Sequence, residues 1–169
     1  LGMRVGQAPL EAILKNNQLP IWLSNRPDIL VWGALNSDGK NYMNADSSMA
    51  LALKNSASVR GLPTTNPVLD LNDRSSLPVA RLWALDEGAI RLASSRYETD
   101  AILAGRFAIN ASQWTGNMLL LHRGKTNYFS ATASSQNEMA SLVIDQVTDY
   151  LASIYAVVPN FSGDRRSLM

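Results

Sequence analysis

Pro78-Val79-Ala80-Arg81-Leu82-Trp83-Ala84-Leu85-Asp86-Glu87-Gly88-Ala89-Ile90-Arg91-Leu92-Ala93-Ser94-Ser95-Arg96 runs through Tyr97-Glu98-Thr99-Asp100 into Ala101-Ile102-Leu103-Ala104-Gly105-Arg106-Phe107-Ala108-Ile109. Leu82, Leu85, Ala89, Ile90, Leu92 and Ala93 recur at helical spacing, and Pro78 stands where a helix start tolerates its missing donor. Gly88 is the expected point of a kink or division. The polar step Tyr97–Asp100 closes the helical run, and a short apolar strand follows. A helix feeding a strand in this way points to an α/β fold.

Upstream, Asp28-Ile29-Leu30-Val31-Trp32-Gly33-Ala34-Leu35 is an almost continuous apolar run between Pro27 and Asn36-Ser37-Asp38-Gly39. Such a run suits a strand covered on both faces, as in a parallel sheet under helices. A helix is expected from Asp46, Ser47 or Ser48 to Gly61, with Met49, Leu51, Ala52, Leu53 and Val59 as its apolar residues. Val68-Leu69-Asp70-Leu71 then reads as a second short strand, lying beside the first. Before all of these, Ala8–Lys15 reads as a short helix and Leu19-Pro20-Ile21-Trp22-Leu23 as a proline-flanked arm.

Downstream, Trp114–His122 and Asn127–Thr132 read as strands joined by a tight turn at Arg123-Gly124-Lys125-Thr126. Ser135-Gln136-Asn137-Glu138 has capping-box spacing. It introduces a long helix in which Met139, Leu142, Val143, Val147, Tyr150, Leu151, Ile154 and Tyr155 share a side. The expected architecture is a mixed sheet, parallel strand–helix units followed by an antiparallel meander, flanked by helices and ending in the long C-terminal one. Expected divisions are an arm or linker over 1–24, cut from a longer precursor, a single α/β domain over 25–158, and a frayed tail over 159–169.

Composition excludes several function classes. The chain of 169 residues has no cysteine, which removes disulfides, thiolate metal sites and cysteine nucleophiles. Net charge is +1 without a basic block, so nucleic acid is not an expected partner. No apolar run reaches the roughly 20 residues of a membrane span, and the polar face of the last helix carries Glu138, Asp145 and Asp149, the wrong sign for anionic lipid.

Candidate chemistry is sparse. Gly33 to Lys40 follows a strand, but five residues separate Gly33 from Gly39 and Asn41 replaces the Ser or Thr of a phosphate-binding loop, so it reads as a solvated turn. His122 is the only histidine, and no nucleophile motif accompanies it. Its place beside a hairpin turn reads as a solvent-facing rim. Asp38, Asp70 and Asp73 are expected at strand ends, where they either hold a ligand or hard cation or cap local turns. Arg96 and Arg106 flank Glu98 and Asp100, which reads as an ion pair fixing the helix–strand turn in preference to a substrate clamp. Among Trp22, Trp32, Trp83 and Trp114, Trp32 reads as core and Trp22 as the candidate partner contact.

Leu19–Leu23, Arg26-Pro27-Asp28-Ile29-Leu30-Val31-Trp32, Arg60-Gly61-Leu62-Pro63, Arg81-Leu82-Trp83-Ala84, Ala93-Ser94-Ser95-Arg96-Tyr97, Asp100–Arg106 and Trp114 occur in this order. Together they resemble a family of exported proteobacterial proteins classed as a domain of unknown function. The resemblance runs from about Leu19 to Ala156. It implies a periplasmic or cell-envelope setting and supplies no activity. The helix followed by Asp100-Ala101-Ile102-Leu103-Ala104-Gly105 is also similar, at the level of fold, to TolB amino-terminal and penicillin-binding-protein-activator modules, which implies partner binding without catalysis.

The resulting expectation is a non-catalytic envelope domain that binds a protein partner through the Leu19–Leu23 arm or the outer strand of the meander and needs no cofactor. The alternative is a small-molecule, metal or hydrolytic site at the ends of the first two strands, formed by Asp38, Asp70 and Asp73. A third reading makes the chain a spacer within its precursor.

Overall fold

The computed structural model describes residues 21–22 and 26–157, with side chains from 26 to 154. The expected helix at Ala8–Lys15, the Leu19-Pro20 start of the arm and the tail from Pro159 lie outside the described residues. Contacts divide the chain into two units, Pro27–Asp149 and a second made of 1–26 with 150–169.

The described elements are, in order, β1 (Ile21–Trp22), β2 (Ile29–Asn36), β3 (Lys40–Tyr42), α1 (Ser48–Val59) and β4 (Thr64–Thr65). Three short helices follow: α2 (Leu71–Ser76), α3 (Val79–Trp83) and α4 (Glu87–Ser94). Then come β5 (Ala101–Asn110), β6 (Gln113–His122), β7 (Lys125–Ala133), α5 (Gln136–Tyr155) and β8 (Ala156–Val157). In the smaller unit β1 pairs antiparallel with β8, Trp22 opposite Ala156.

The larger unit is built on a six-stranded mixed sheet, five strands in the order β3-β2-β5-β6-β7 and the sixth, β4, paired with β2 off that path. β2 and β5 are parallel from Ile29 opposite Ala101 to Asn36 opposite Ala108. The other edge of β2 is shared, parallel with β4 at Ile29–Leu30 and antiparallel with β3 at Ala34–Asn36. β5, β6 and β7 form the antiparallel meander. The mixed α/β architecture expected from the sequence is therefore present.

One face of the sheet carries Leu30, Trp32, Ala34, Ala104, Leu119 and Leu121, packed with Leu77, Leu82, Ile90 and Ala93 of the short helices. Trp32 is 1% exposed and donates its indole N–H to Ser94 Oγ at 2.8 Å. On the other face Phe107 lies across two glycines. A Cβ at Gly105 or Gly116 would come within 2.8 or 2.9 Å of its ring, and one at Gly116 within 3.0 Å of Met139 Sδ on α5. Met139, Ala140, Val143, Ile144 and Val147 give α5 its buried side. Arg60, just past α1, pairs with Asp145 and Asp149 of α5.

Caps explain the helix starts. Ser47 Oγ accepts the Ala50 N–H, and Ser135 Oγ accepts that of Glu138. Glu138 in turn accepts from Ser134 N–H and hydroxyl, which holds its carboxyl below the usual range.

Three expectations are corrected. Val68–Leu71 is not a strand, and the buried parallel neighbour of Ile29–Asn36 is β5. Leu69 has φ 56, its N–H donates to Asp73 Oδ2, and Asp70 caps α2 by accepting the Asp73 N–H. Local carboxylate–amide bonds thus override the apolar pattern. The run from Pro78 to Arg96 is two helices, broken at Leu85 (φ 53) rather than at Gly88. Asp86 Oδ1 caps the second by accepting from Ala89 N–H. Finally, Asn36–Gly39 turns the chain into β3, a strand absent from the sequence reading, with Gly39 at φ 94.

Candidate functional site

Asp70 and Asp73 belong to one network at the start of α2. Arg96 Nη1 donates to both Asp70 oxygens at 2.9 and 3.0 Å and to Asp73 Oδ1 at 3.1 Å. Asp73, 1% exposed, also accepts the Leu69 N–H and, at 2.6 Å, the Tyr97 hydroxyl. The Arg96 bond holds the Asp70 carboxyl below its ordinary range. Burial, then the bond to Asp73, pushes the Tyr97 hydroxyl up. Every Asp73 oxygen has a protein donor, so this carboxylate ties α2 to the helix–strand junction.

Asp38 sits in the exposed turn between β2 and β3. Among the described residues no group of three or more His, Asp or Glu side chains is arranged to hold a metal. The expected Arg96/Arg106–Glu98/Asp100 pairing is not what forms: Arg96 takes Asp70 and Asp73, while Asp100 Oδ2 accepts the Asp28 N–H. His122 is buried at 2% exposure instead of rim-facing. It is the last residue of β6 and points to the face of Leu120 and Met118, where burial lowers its pKa. The side chain of Trp22 lies outside the described residues.

A feature not read from the sequence lies on the sheet face that carries Trp32. Alternation puts Ile102, Ala104 and Arg106 of β5 on this face, with Asn117 opposite Arg106 and Ser130 opposite Asn117. The short helices cover it near β2, but Thr115, Asn117, Tyr128, Ser130 and Thr132 stay exposed. An open groove of ≈ 480 Å³ lies there, walled by Ala84 and Leu85 on one side and by Arg106, Asn117, Tyr128 and Ser130 on the other. Arg106 is half-buried. It donates to the Trp83 carbonyl at 3.0 Å, and its guanidinium lies 6.0 Å from the Trp83 ring. Lys40 Nζ stands 5.3 Å from that same ring.

Beside the groove, β7 is the last strand of its sheet. The two-residue turn Arg123-Gly124, both at positive φ, makes His122 and Lys125 a hydrogen-bonded pair. Thr126, Tyr128, Ser130 and Thr132 therefore direct their backbone groups outward. Among the described residues the one partner of this row is Gln146, whose Nε2 donates to the Ser130 carbonyl at 3.1 Å.

No family model matches the chain, and no curated protein matches it. Solved structures do. Lipoprotein GNA1162 from Neisseria meningitidis aligns with 76% of this chain and 98% of its own, at TM-score 0.43 and 16% identity. The LpoB C-terminal domain from Salmonella enterica aligns with 75% and 93%, at TM-score 0.44 and 14% identity. The likeness is one of fold. TolB from Acinetobacter baumannii aligns over 79% of this chain and 30% of its own, at TM-score 0.42 and 13% identity. The TolB-type likeness expected from the junction before β5 thus reappears, and no residue role is transferred with it.

Proposed function

We propose that this chain is a non-catalytic cell-envelope domain that binds a protein partner, accepting an extended segment along the edge of β7. The outward row at Thr126, Tyr128, Ser130 and Thr132 carries this reading, since an unpaired edge offers backbone donors and acceptors to an added strand. Among the described residues only Gln146, at the Ser130 carbonyl, bonds this outward row; β7 has no proline, and its one charge, Lys125, is at its end. Tyr128, 67% exposed, supplies an aromatic anchor beside that edge. The envelope setting rests on the family resemblance. Trp22 belongs to the same proposal as a second partner contact, and its replacement by Ala is the corresponding control.

The buried, fully bonded Asp73 and the turn position of Asp38 favour this reading over a metal or hydrolytic site. Photo-crosslinking tests it: a benzophenone amino acid replaces Tyr128 in the full-length protein in its native cells, with Val59 on α1 as the exposed control site. A discrete adduct is expected from position 128 and not from 59. It should vanish with Ser130→Pro, which removes an outward N–H without touching the β6 ladder. An adduct that survives Ser130→Pro, or none at 128, would rule out strand addition.

A further inference from the structure

We infer that the groove beside β7 is an acid-binding subsite, in which Arg106, helped by Asn117 and Ser130, takes a carboxylate side chain from the docked segment. The inference rests on the proposed strand addition and names the chemistry of the partner.

Arg106 is the starting point. Arg60, Arg81, Arg91 and Arg96 each close onto a carboxylate. Arg106 has none among the described residues, and one of its five donors is taken, by the Trp83 carbonyl. A half-buried guanidinium has lost part of its hydration and gains from a charged acceptor more than an exposed one does. Among the described residues no acidic side chain lines the groove, so none of them competes for the cation. Lys40, against the same indole, adds a second positive charge nearby.

The surroundings select a carboxylate over a phosphate. Phosphate sites use clustered backbone N–H groups at a glycine-rich loop or a helix start. Here the nearby start of α4 is already filled by Asp86, which also holds Arg81. What the groove offers instead is a planar fork, an amide donor at Asn117 and a hydroxyl at Ser130, beside Leu85 and Tyr128. That set matches a glutamate or aspartate with an apolar stem.

Register connects the groove to the edge. Side chains of an added strand that face the Trp32 side would line up with Tyr128 and Ser130, next to Asn117 and Arg106. Strands lie about 4.8 Å apart, so the added strand would be about 14 Å from β5. A glutamate side chain reaching inward from that strand over Tyr128 and Ser130 enters the groove whose wall includes Arg106.

The test uses the full chain labelled with nitrogen-15 and a blocked nine-residue peptide of alternating Thr and Val, with Glu at two central Thr positions. Its counterpart carries Gln there. The Glu peptide should bind about tenfold more tightly, the worth of one charge-assisted contact at about 1.4 kcal/mol. It should shift the Arg106 Nε–H signal, and Arg106→Gln should erase the difference between the two peptides. Arg106→Lys, which keeps the charge but not the fork, should recover part of it.

Equal affinity of the two peptides, both shifting β7 amides, would overturn the subsite and leave the edge reading standing. A Glu peptide that shifts Arg106 without shifting β7, and ignores Ser130→Pro, would keep the subsite and remove strand addition. A shift of Arg106 by inorganic phosphate but not by succinate or the Glu peptide would overturn the carboxylate assignment.

Discussion

Arg106 donates to the Trp83 carbonyl at 3.0 Å and rests against the ring of that residue, so the connection between α3 and α4 orients the cation. The relationship depends on the break after Trp83. A continuous helix from Pro78 to Arg96 would engage the Trp83 carbonyl in its own ladder. The left-handed turn at Leu85 frees that carbonyl to hold Arg106.

Asp73→Ala is expected to destabilise the larger unit by about 2–4 kcal/mol, because the Leu69 N–H, the Tyr97 hydroxyl and Arg96 all lose their acceptor. Urea unfolding followed by tryptophan fluorescence measures it. A change under about 0.5 kcal/mol would mean that water replaces the carboxylate and that α2 is not held through this residue.

Trp32 and Ser94 should be energetically coupled. Ser94→Ala strands the indole N–H in a dry core, at a cost of about 1–3 kcal/mol. Trp32→Phe strands the hydroxyl instead. The double variant should lose less than the two single losses added together, and strict additivity would refute the bond as a stabilising contact.

Stability should decline below neutrality through His122. Burial lowers its folded pKa beneath the usual 6.5, so the unfolded chain binds the proton first. The contribution is present above the unfolded pKa and is lost as pH falls through the folded one. Melting temperatures from pH 7.5 to 5 should drop, and His122→Asn should flatten that part of the profile. An unchanged slope in the variant would assign the decline elsewhere.

Arg123 sits at φ 52 ahead of Gly124 at φ 77, a turn that favours Asn-Gly. Arg123→Asn should therefore stabilise the β6–β7 hairpin by about 0.5–1 kcal/mol, read as a rise in melting temperature. A fall would show that interactions of the arginine side chain outweigh the backbone preference.

The legible parts of the fold were those set by long patterns. The apolar run of β2, the junction before β5, the β6–β7 hairpin and the capping box of α5 all appear as expected. The illegible parts were set by single residues. Val68–Leu71 has strand composition, yet Asp70 and Asp73 redirect its amides. β3 and β4 are too short to carry a period. Arg106 looked like one half of an ion pair because Glu98 and Asp100 are near in sequence. Strict alternation from Ile102 through Ala104 places it on the Trp32 face, and six residues of extended chain, about 20 Å, separate it from Asp100. The same parity count from Met118 and Leu120 puts His122 inside.

Amide hydrogen exchange along β7 tests strand addition most directly. In the free protein Thr126, Tyr128, Ser130 and Thr132 should exchange fast while Asn127, Phe129 and Ala131, bonded to β6, exchange slowly. Once the partner identified by crosslinking is bound, the fast set should become protected, giving slow exchange along the whole strand. Persistence of the alternating pattern in the complex, with protection gained on another surface, would contradict the account.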